Sequence, residues 1–392
     1  MRKLLVISAA ILFSLCLTSA AFAFHGGGVA HCDGCHSMHA GSGNEGRFVA
    51  QGPSLTNGSD PSSTCLNCHD GAARYHVSSA DGSNTTEGGD FHWTKDNGYA
   101  YYNRGLRTVD FNNAGHNMLA ADYGMANDAN LAAAPGGGAP SAGFGCTSCH
   151  DPHGQSGGGT ANGALPISVS GSYGDVPAAD TQAGNYRLLY DSNKAFFTED
   201  APIARANSYD GASVQYGDGM SLWCANCHGG FYTQSASAGM HPTDVSVPAA
   251  YDGYVATGNF TGTSANSYDP LVPIERGGVT ASSELVDPTD AAVASFGTTG
   301  TSQVMCLTCH RAHASPYNNA LRWDYTTSEF IAESWNTLSG TGTVLPDPAV
   351  AAMYYKHGTV VDVATFDPAA TPFTNGYGEY QRSLCNKCHV QD

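Results

Sequence analysis

Charge is scarce in this chain of 392 residues: Asp, Glu, Lys and Arg together make up 13% of it, about half of the roughly 25% usual in globular domains. Basic residues are scarcest, with 16 Lys and Arg against 34 Asp and Glu and a formal net charge of −18. A surface stripe able to follow nucleic-acid phosphates is thereby excluded. So is a coiled coil, which needs charged heptad flanks. No apolar run of membrane-spanning length follows Ala23. Regular structure is discouraged too, because 48 Gly and 18 Pro are spread along the chain. Yet apolar content is 41%, too high for disorder on composition alone. Something other than a conventional hydrophobic core must hold such a chain together.

The amino terminus carries the pattern of a secretory signal. Arg2 and Lys3 form a short positive region and Leu4 to Leu17 an apolar one. Thr18-Ser19-Ala20-Ala21-Phe22-Ala23 then supplies small residues for cleavage after Ala23. The apolar stretch is shorter than the roughly 20 residues of a membrane span. Cys16 follows Leu15, where a lipoprotein would need a small residue. Residues 1–23 are expected to be removed, leaving 24–392 as a single exported domain.

Of the 13 cysteines, all but Cys16 fall into six C-x-x-C-H motifs. These are Cys32/Cys35/His36, Cys65/Cys68/His69, Cys146/Cys149/His150, Cys224/Cys227/His228, Cys306/Cys309/His310 and Cys385/Cys388/His389. C-x-x-C-H is the attachment sequence of c-type haem. Its spacing lets two thiols add to the two haem vinyl groups while the next residue turns an imidazole onto the iron. Disulfides and zinc also use paired cysteines, but neither requires a histidine after each second cysteine. At this composition chance supplies on the order of 0.02 such motifs. Six covalent haems c are therefore expected, with the six motif histidines as proximal ligands.

The chain has 16 histidines, enough for a second imidazole on every iron. His39, His153 and His313 each lie three residues past a proximal histidine. An i, i+3 pair shares one helical face, so both cannot easily grip one iron from opposite sides, and the second is expected to ligate a neighbouring haem. His76, His116 and His241 occupy the intervening segments, and His25 stands near the expected mature terminus. These seven are the distal candidates. His31, His92 and His357 read as solvated or structural. Methionine is the other common axial ligand, and Met38, Met118, Met220 and Met240 each neighbour a histidine or a motif, but histidine is abundant enough to make them unnecessary.

After the close first pair of motifs, the first cysteines Cys65, Cys146, Cys224, Cys306 and Cys385 recur about every 80 residues, without obvious similarity between the intervening segments. Porphyrins so distributed act as the core, with thioethers stapling loops to them. The expected fold is therefore mostly coil, with short helices at the haem motifs and little β. Two longer helices are expected at Thr326–Leu338 and at Pro348–His357, the latter opened by proline and closed by Gly358.

Several longer strings are more specific than C-x-x-C-H. They include F-H-x-G-G-V-A-x-C-x-x-C-H-x-M-H from Phe24 to His39, C-L-N-C-H at Cys65–His69, Gly115-His116-Asn117, and C-H-D-P-H-G from Cys149 to Gly154. They continue with G-M-S-x-W-C-A-N-C-H from Gly219 to His228, C-H-R-A-H-A-S from Cys309 to Ser315, and Y-Q-R-x-L-C-N-K-C-H from Tyr380 to His389. Across the whole mature chain the sequence resembles the OmcS-type outer-surface hexahaem cytochromes of metal-reducing bacteria. The resemblance implies a loop-dominated fold around six bis-histidine haems in a continuous stack, and extracellular electron transfer. It also implies head-to-tail filaments in which His39 ligates the fifth haem, at Cys306/Cys309/His310, of the adjacent subunit. Identical subunits, other cytochromes and acceptors such as metal oxides would be its partners, with neither nucleic acid nor a membrane span involved. Two other functions use the same motifs. A reductase of a small oxyanion needs an iron with an open position, often marked by a departure from C-x-x-C-H, and none occurs. A monomeric periplasmic shuttle would bind all its ligands within one chain.

Overall fold

Helix is concentrated where the cysteine motifs lie, and irregular backbone connects them. The structure is a computed structural model that describes residues 32–37, 52–71, 76–80, 82, 84, 88–95, 99–102, 106–152, 189–190, 192, 196–206, 214–233, 240–248, 251, 272–280, 284–285, 299–322, 385 and 388–389. Five α-helices are present among these residues: α1 Cys32–Cys35, α2 Pro61–His69, α3 Phe111–Ala114, α4 Met220–Thr233 and α5 Cys306–Cys309. The third motif opens as a single 3-10 turn, Cys146–Ser148. Short helices at the motifs are thus as expected. The signal segment and both longer helices expected near the carboxyl end lie outside the described residues. No described helix is long and apolar enough to cross a membrane.

Local chemistry starts α2. Asp60 is its extended N-cap and accepts the Ser63 amide at 2.8 Å, while Pro61 brings a preset φ to the first turn. The same buried carboxylate accepts the Ser63 hydroxyl at 2.6 Å and the Ala121 amide at 2.8 Å. Asp60 therefore ties the helix to a segment far along the chain. Helix α4 begins otherwise. Its Met220 amide donates at 3.0 Å to Glu275 Oε2, a carboxyl that reaches it from a distant strand. Gly219, at φ +103°, makes the entry turn that a side chain would strain. The helix breaks at His228 (φ −115°, ψ 34°).

Two small sheets complete the described structure. β1 (Tyr99–Tyr102) pairs antiparallel with β2 (Leu106–Val109), Tyr99 opposite Val109. The other sheet runs in the order β3 (Ala204–Ala206), β4 (Val214–Tyr216), β5 (Glu275–Arg276), β6 (Ser302–Gln303). Tyr216 aligns in parallel with Glu275, and Glu275 in antiparallel with Gln303. Strand β6 thus leads straight into the fifth motif. Two apolar clusters flank the motifs. One gathers Leu66, Phe91, Trp93, Met118, Met125 and Tyr317 around the second and third motifs. The other gathers Leu189, Val214, Tyr216, Met220, Met305 and Leu307 around the fourth and fifth. His92 lies in a 3-10 turn capped by Asp90, its ring edge-on to Trp93 at 4.8 Å, which suits the structural role expected of it.

Candidate functional site

The motif sulfurs lie in a file that follows the chain. No disulfide joins the described cysteines. A hydrogen bond to Cys146, helped by burial and by the nearby Cys35, holds the Cys65 thiol well above its usual value. Burial pushes Cys149 up to about 12, with Cys227 of the next motif and then Cys146 adding to it. Cys224 is held up by its hydrogen bond to Cys306 and by burial. Burial likewise raises Cys309 to about 12, with Cys385 and Cys388 beside it. Each motif therefore meets its successor, from the first to the sixth. The hydrogen-bond partners of Cys65 and Cys224 move the other way, Cys146 lowered by its bond to Cys65 and Cys306 by its bond to Cys224. An uncharged thioether suits the same surroundings.

Cys68 stands apart from the other motif cysteines. It is exposed, whereas its partner Cys65 and the motif cysteines from Cys146 to Cys388 are half-buried. Helix α2 is the reason. Leu66 faces the apolar cluster, and two further residues turn the helix by about 200°, toward the opposite side. Pro61, seven residues before Cys68 and so on its face, is exposed as well. The second motif thus presents one sulfur to the file and the other at the surface of the polypeptide. Its C-x-x-C-H spacing is intact, and a vinyl group can reach a sulfur at the surface, so Cys68 remains a candidate haem anchor.

One clamp recurs. The Cys146 amide donates to Ser62 Oγ at 3.0 Å, and the Cys306 amide to Ser221 Oγ at 3.2 Å. Each serine stands three residues before the first cysteine of the preceding motif. Inside the clamped motif, Ser148 Oγ accepts the Gly145 amide at 3.1 Å and Thr308 Oγ1 the Met305 amide at 3.0 Å. The odd motifs share a second device, a strap of backbone after the histidine. Asn57, Tyr190 and Arg322 donate their amides to the carbonyls of Cys35, Cys149 and Cys309. The residue before each donor bridges to the proximal histidine, as Thr56 to His36, Leu189 to His150 and Leu321 to His310. Two straps carry consecutive left-handed residues without glycine, Ser54 and Leu55 at φ 58° and 62°, and Asn319 and Ala320 at φ 60° and 52°. Their carbonyls face the ligand histidines: His36 Nδ1 donates to Ser54 O at 2.9 Å and His310 Nδ1 to Asn319 O at 2.7 Å.

That arrangement has a chemical meaning. A carbonyl can only accept, so each Nδ1 carries the proton and Nε2 presents its lone pair. His228 Nδ1 does the same with Pro135 O at 2.7 Å, His116 with Ala312 O at 2.6 Å, and His241 with Pro242 O at 2.9 Å. Burial lowers the pKa of His116 and His310 and keeps them neutral. A metal–imidazole bond of about 2 Å, taken twice with half a ring on each side, puts two ring centroids about 6 Å apart across one iron. Three pairs have this separation. His116 faces His228 at 6.0 Å, His313 faces His150 at 6.2 Å, and His241 faces His389 at 6.0 Å. The residues present therefore fit a haem held by two thioethers and two imidazoles.

His313 turns to the third motif, not to the fourth or sixth that flank its own in sequence. Phe91 stacks on its ring at 4.8 Å. A Cβ on Gly88 would lie 2.6 Å from its Nδ1, and one on Gly115 would lie 2.2 Å from its carbonyl oxygen. The His116 amide donates to that carbonyl at 2.8 Å, so the candidate ligands of the third and fourth motifs are joined through backbone. His76 is described and packs near Gly71. His25, His39 and His153 lie outside the described residues. Cys32 is described as the first residue of α1. Gly88, Phe91 and Ser62 were not singled out from sequence, whereas Gly115 and Ser221 stood in the strings quoted there without a role.

The chain is similar to known proteins along its length. No protein-family model matches the chain. The C-type cytochrome OmcS of Geobacter sulfurreducens is 36% identical over an alignment covering 100% of this chain and 98% of that protein. Two solved structures are similar. The OmcS nanowires of the same organism, determined by cryo-EM, match with a TM-score of 0.66 and 33% identity, covering 94% of this chain and 100% of that one. The outer membrane cytochrome S filament matches with a TM-score of 0.65 and 34% identity over the same shares. Identity of this extent along the whole chain, over a fold of coil and short motif helices, makes the protein a multihaem c-type cytochrome belonging to the OmcS family.

Proposed function

We propose that the chain is an electron conductor without a chemical substrate of its own, carrying six haems c at its six motifs and polymerising outside the cell. The three imidazole pairs near 6 Å, set along sulfurs that run in motif order, carry this reading. Haem supplies a reversible one-electron couple when bound. The chain fixes where each couple sits, through its thioethers, and orients each Nε2 through the carbonyl on Nδ1. Two imidazoles for each iron would leave it no open position, which favours passage of electrons over chemistry on a bound substrate. His36, His69 and His310 take their second ligands from His25, His39, His76 and His153. In this reading His39 ligates the fifth haem of the next subunit, as the family resemblance of its C-H-x-x-H string supports. Such a head-to-tail contact does not close, so it propagates as a fibre. The signal at residues 1–23 directs export, and metal oxides or other cytochromes receive the electrons.

His39→Ala is the direct test. The expected product carries six haems by intact mass and forms no filaments under the electron microscope. Filaments of normal length from that variant would overturn the assignment. In the native protein all irons are expected to be low-spin, and rapid carbon monoxide binding would instead support a reductase.

A further inference from the structure

A pair of acidic side chains sits between the fourth and fifth motifs and serves neither as a haem anchor nor as an iron ligand. Glu275 is completely buried on β5. Its Oε2 accepts the Met220 amide, and its Oε1 is buried without a donor. Asp244 faces it at hydrogen-bonding range. One Asp244 oxygen, Oδ2, accepts the Tyr232 hydroxyl at 2.7 Å, and the other, Oδ1, is likewise buried without a donor. Two carboxylates offer only acceptors to each other. The two orphaned oxygens are satisfied together when one proton lies between them.

The other groups facing the pair do not neutralise it. Asp218 stands nearby and adds negative charge while accepting the Gly278 amide at 2.8 Å. Tyr232 donates from α4, its own pKa raised to about 12 by the bond to Asp244 and by burial. Tyr216 and Gln303 flank Glu275 by backbone pairing. Arg276, next along β5, turns its Nη1 to the Glu284 carbonyl at 3.4 Å. Burial, opposed by the Met220 amide and reinforced by Asp244 and Asp218, pushes Glu275 up to about 9. The pair is also electrically close to two haem anchors. Glu275 is felt at the Cys224 sulfur and Asp244 at the Cys306 sulfur.

We propose that Glu275 and Asp244 form a redox-linked proton site for the haems of the fourth and fifth motifs. An electron arriving along the file converts one ferric iron to ferrous. Where the positive charge of the ferric iron has driven the shared proton off, a proton from solvent rejoins the pair on reduction, leaving one carboxylic acid bonded to one carboxylate. Oxidation reverses both steps, so one proton accompanies one electron and no further reactant is needed. This reading rests on haems being present at both motifs, as proposed above.

Glu275→Gln tests it, because glutamine keeps an oxygen for Met220 and gives Asp244 a permanent donor. Potentials of the haem-loaded protein are followed spectroelectrochemically at a series of pH values. In the native protein a component of the potential falls as pH rises, by at most 59 mV per unit for a one-electron couple, and the variant loses that component. A reduced-minus-oxidised infrared spectrum gives a second readout: a carboxylic acid carbonyl band appears on reduction and is absent from the variant. An unchanged pH slope in a variant with six haems by mass overturns the proposal alone. Absence of haem from the fourth or fifth motif of the native protein overturns the conductor reading with it. Should Glu275→Gln fail to mature, Asp244→Asn is measured the same way, and retention of the full slope is equally decisive.

Discussion

Around the second and third motifs, and again around the fourth and fifth, one serine seats the next motif and one sulfur meets another. The helices that carry these clamps are nonetheless started by different means. Asp60 caps α2 from the adjacent position in sequence. Glu275 receives the first amide of α4 from a strand 55 residues away. The first carboxylate is surrounded by four donors, the Ser63 amide and hydroxyl, the Ala121 amide and the Ser59 hydroxyl. The second faces another carboxyl. The same backbone requirement is thus met by a carboxylate ringed by donors in one half and by one of two facing carboxyls in the other. An N-cap serves the helix wherever its oxygen comes from, so its remaining chemistry is free to differ.

The comparison can be broken most severely at a ligand. His313→Ala is expected to leave the third iron with an open position while the fourth keeps both imidazoles. About one carbon monoxide bound per chain, read from the Soret spectrum, is the expected outcome. His116→Ala should give the same stoichiometry at the fourth. Next in size is Asp60→Ala, which strips a cap and leaves buried donors unmet. A loss of about 2–3 kcal/mol in denaturant unfolding of the haem-loaded protein is expected. Glu275→Gln keeps its acceptor and should cost less than half as much at neutral pH.

The two halves should also differ in their response to pH. Glu275 holds its proton in the folded protein up to about 9, against an ordinary value of 4.5. Between those values the folded state binds the proton that the unfolded state has released. Stability therefore falls as pH rises across that window, and Glu275→Gln flattens the fall. Melting temperatures measured from pH 5 to pH 9 check this. The smallest effect is expected at the serines. Ser62→Ala and Ser221→Ala each remove one acceptor from a motif amide and should each cost about 1 kcal/mol. Unequal losses would show that the clamps are alike in geometry but not in strain.

What the sequence revealed depended on how local the chemistry is. The six motifs were legible because thiol and imidazole spacing is fixed within five residues. How deep each sulfur lies was not, since the exposure of Cys68 depends on which face of α2 the distant cluster covers. The cap at Asp60-Pro61 is local too. Coil with short helices followed from Gly and Pro content and from the distribution of cysteines. Strands of two or three residues, such as Glu275–Arg276 and Ser302–Gln303, are too short for a period-2 pattern to register. The left-handed straps at Ser54-Leu55 and Asn319-Ala320 contain no glycine to announce them. The approach of His313 to His150 joins positions far apart in the chain, and no periodicity records such a meeting. Both were nevertheless named as candidate ligands, because iron needs two axial donors wherever they come from.

The reach of His313 back to the third motif bears on the order in which the molecule can be made. Under the proposed export the amino-terminal motifs are delivered first. His116 precedes His228 and His241 precedes His389, so the fourth and sixth motifs meet histidines already delivered. The third motif must wait for a histidine that emerges after the fifth. Under the proposed ligation, a chain cut short before Cys306 would mature with its third haem half-coordinated and open to oxygen. Under that ligation, the third site is completed only once the chain has been made past the fifth motif.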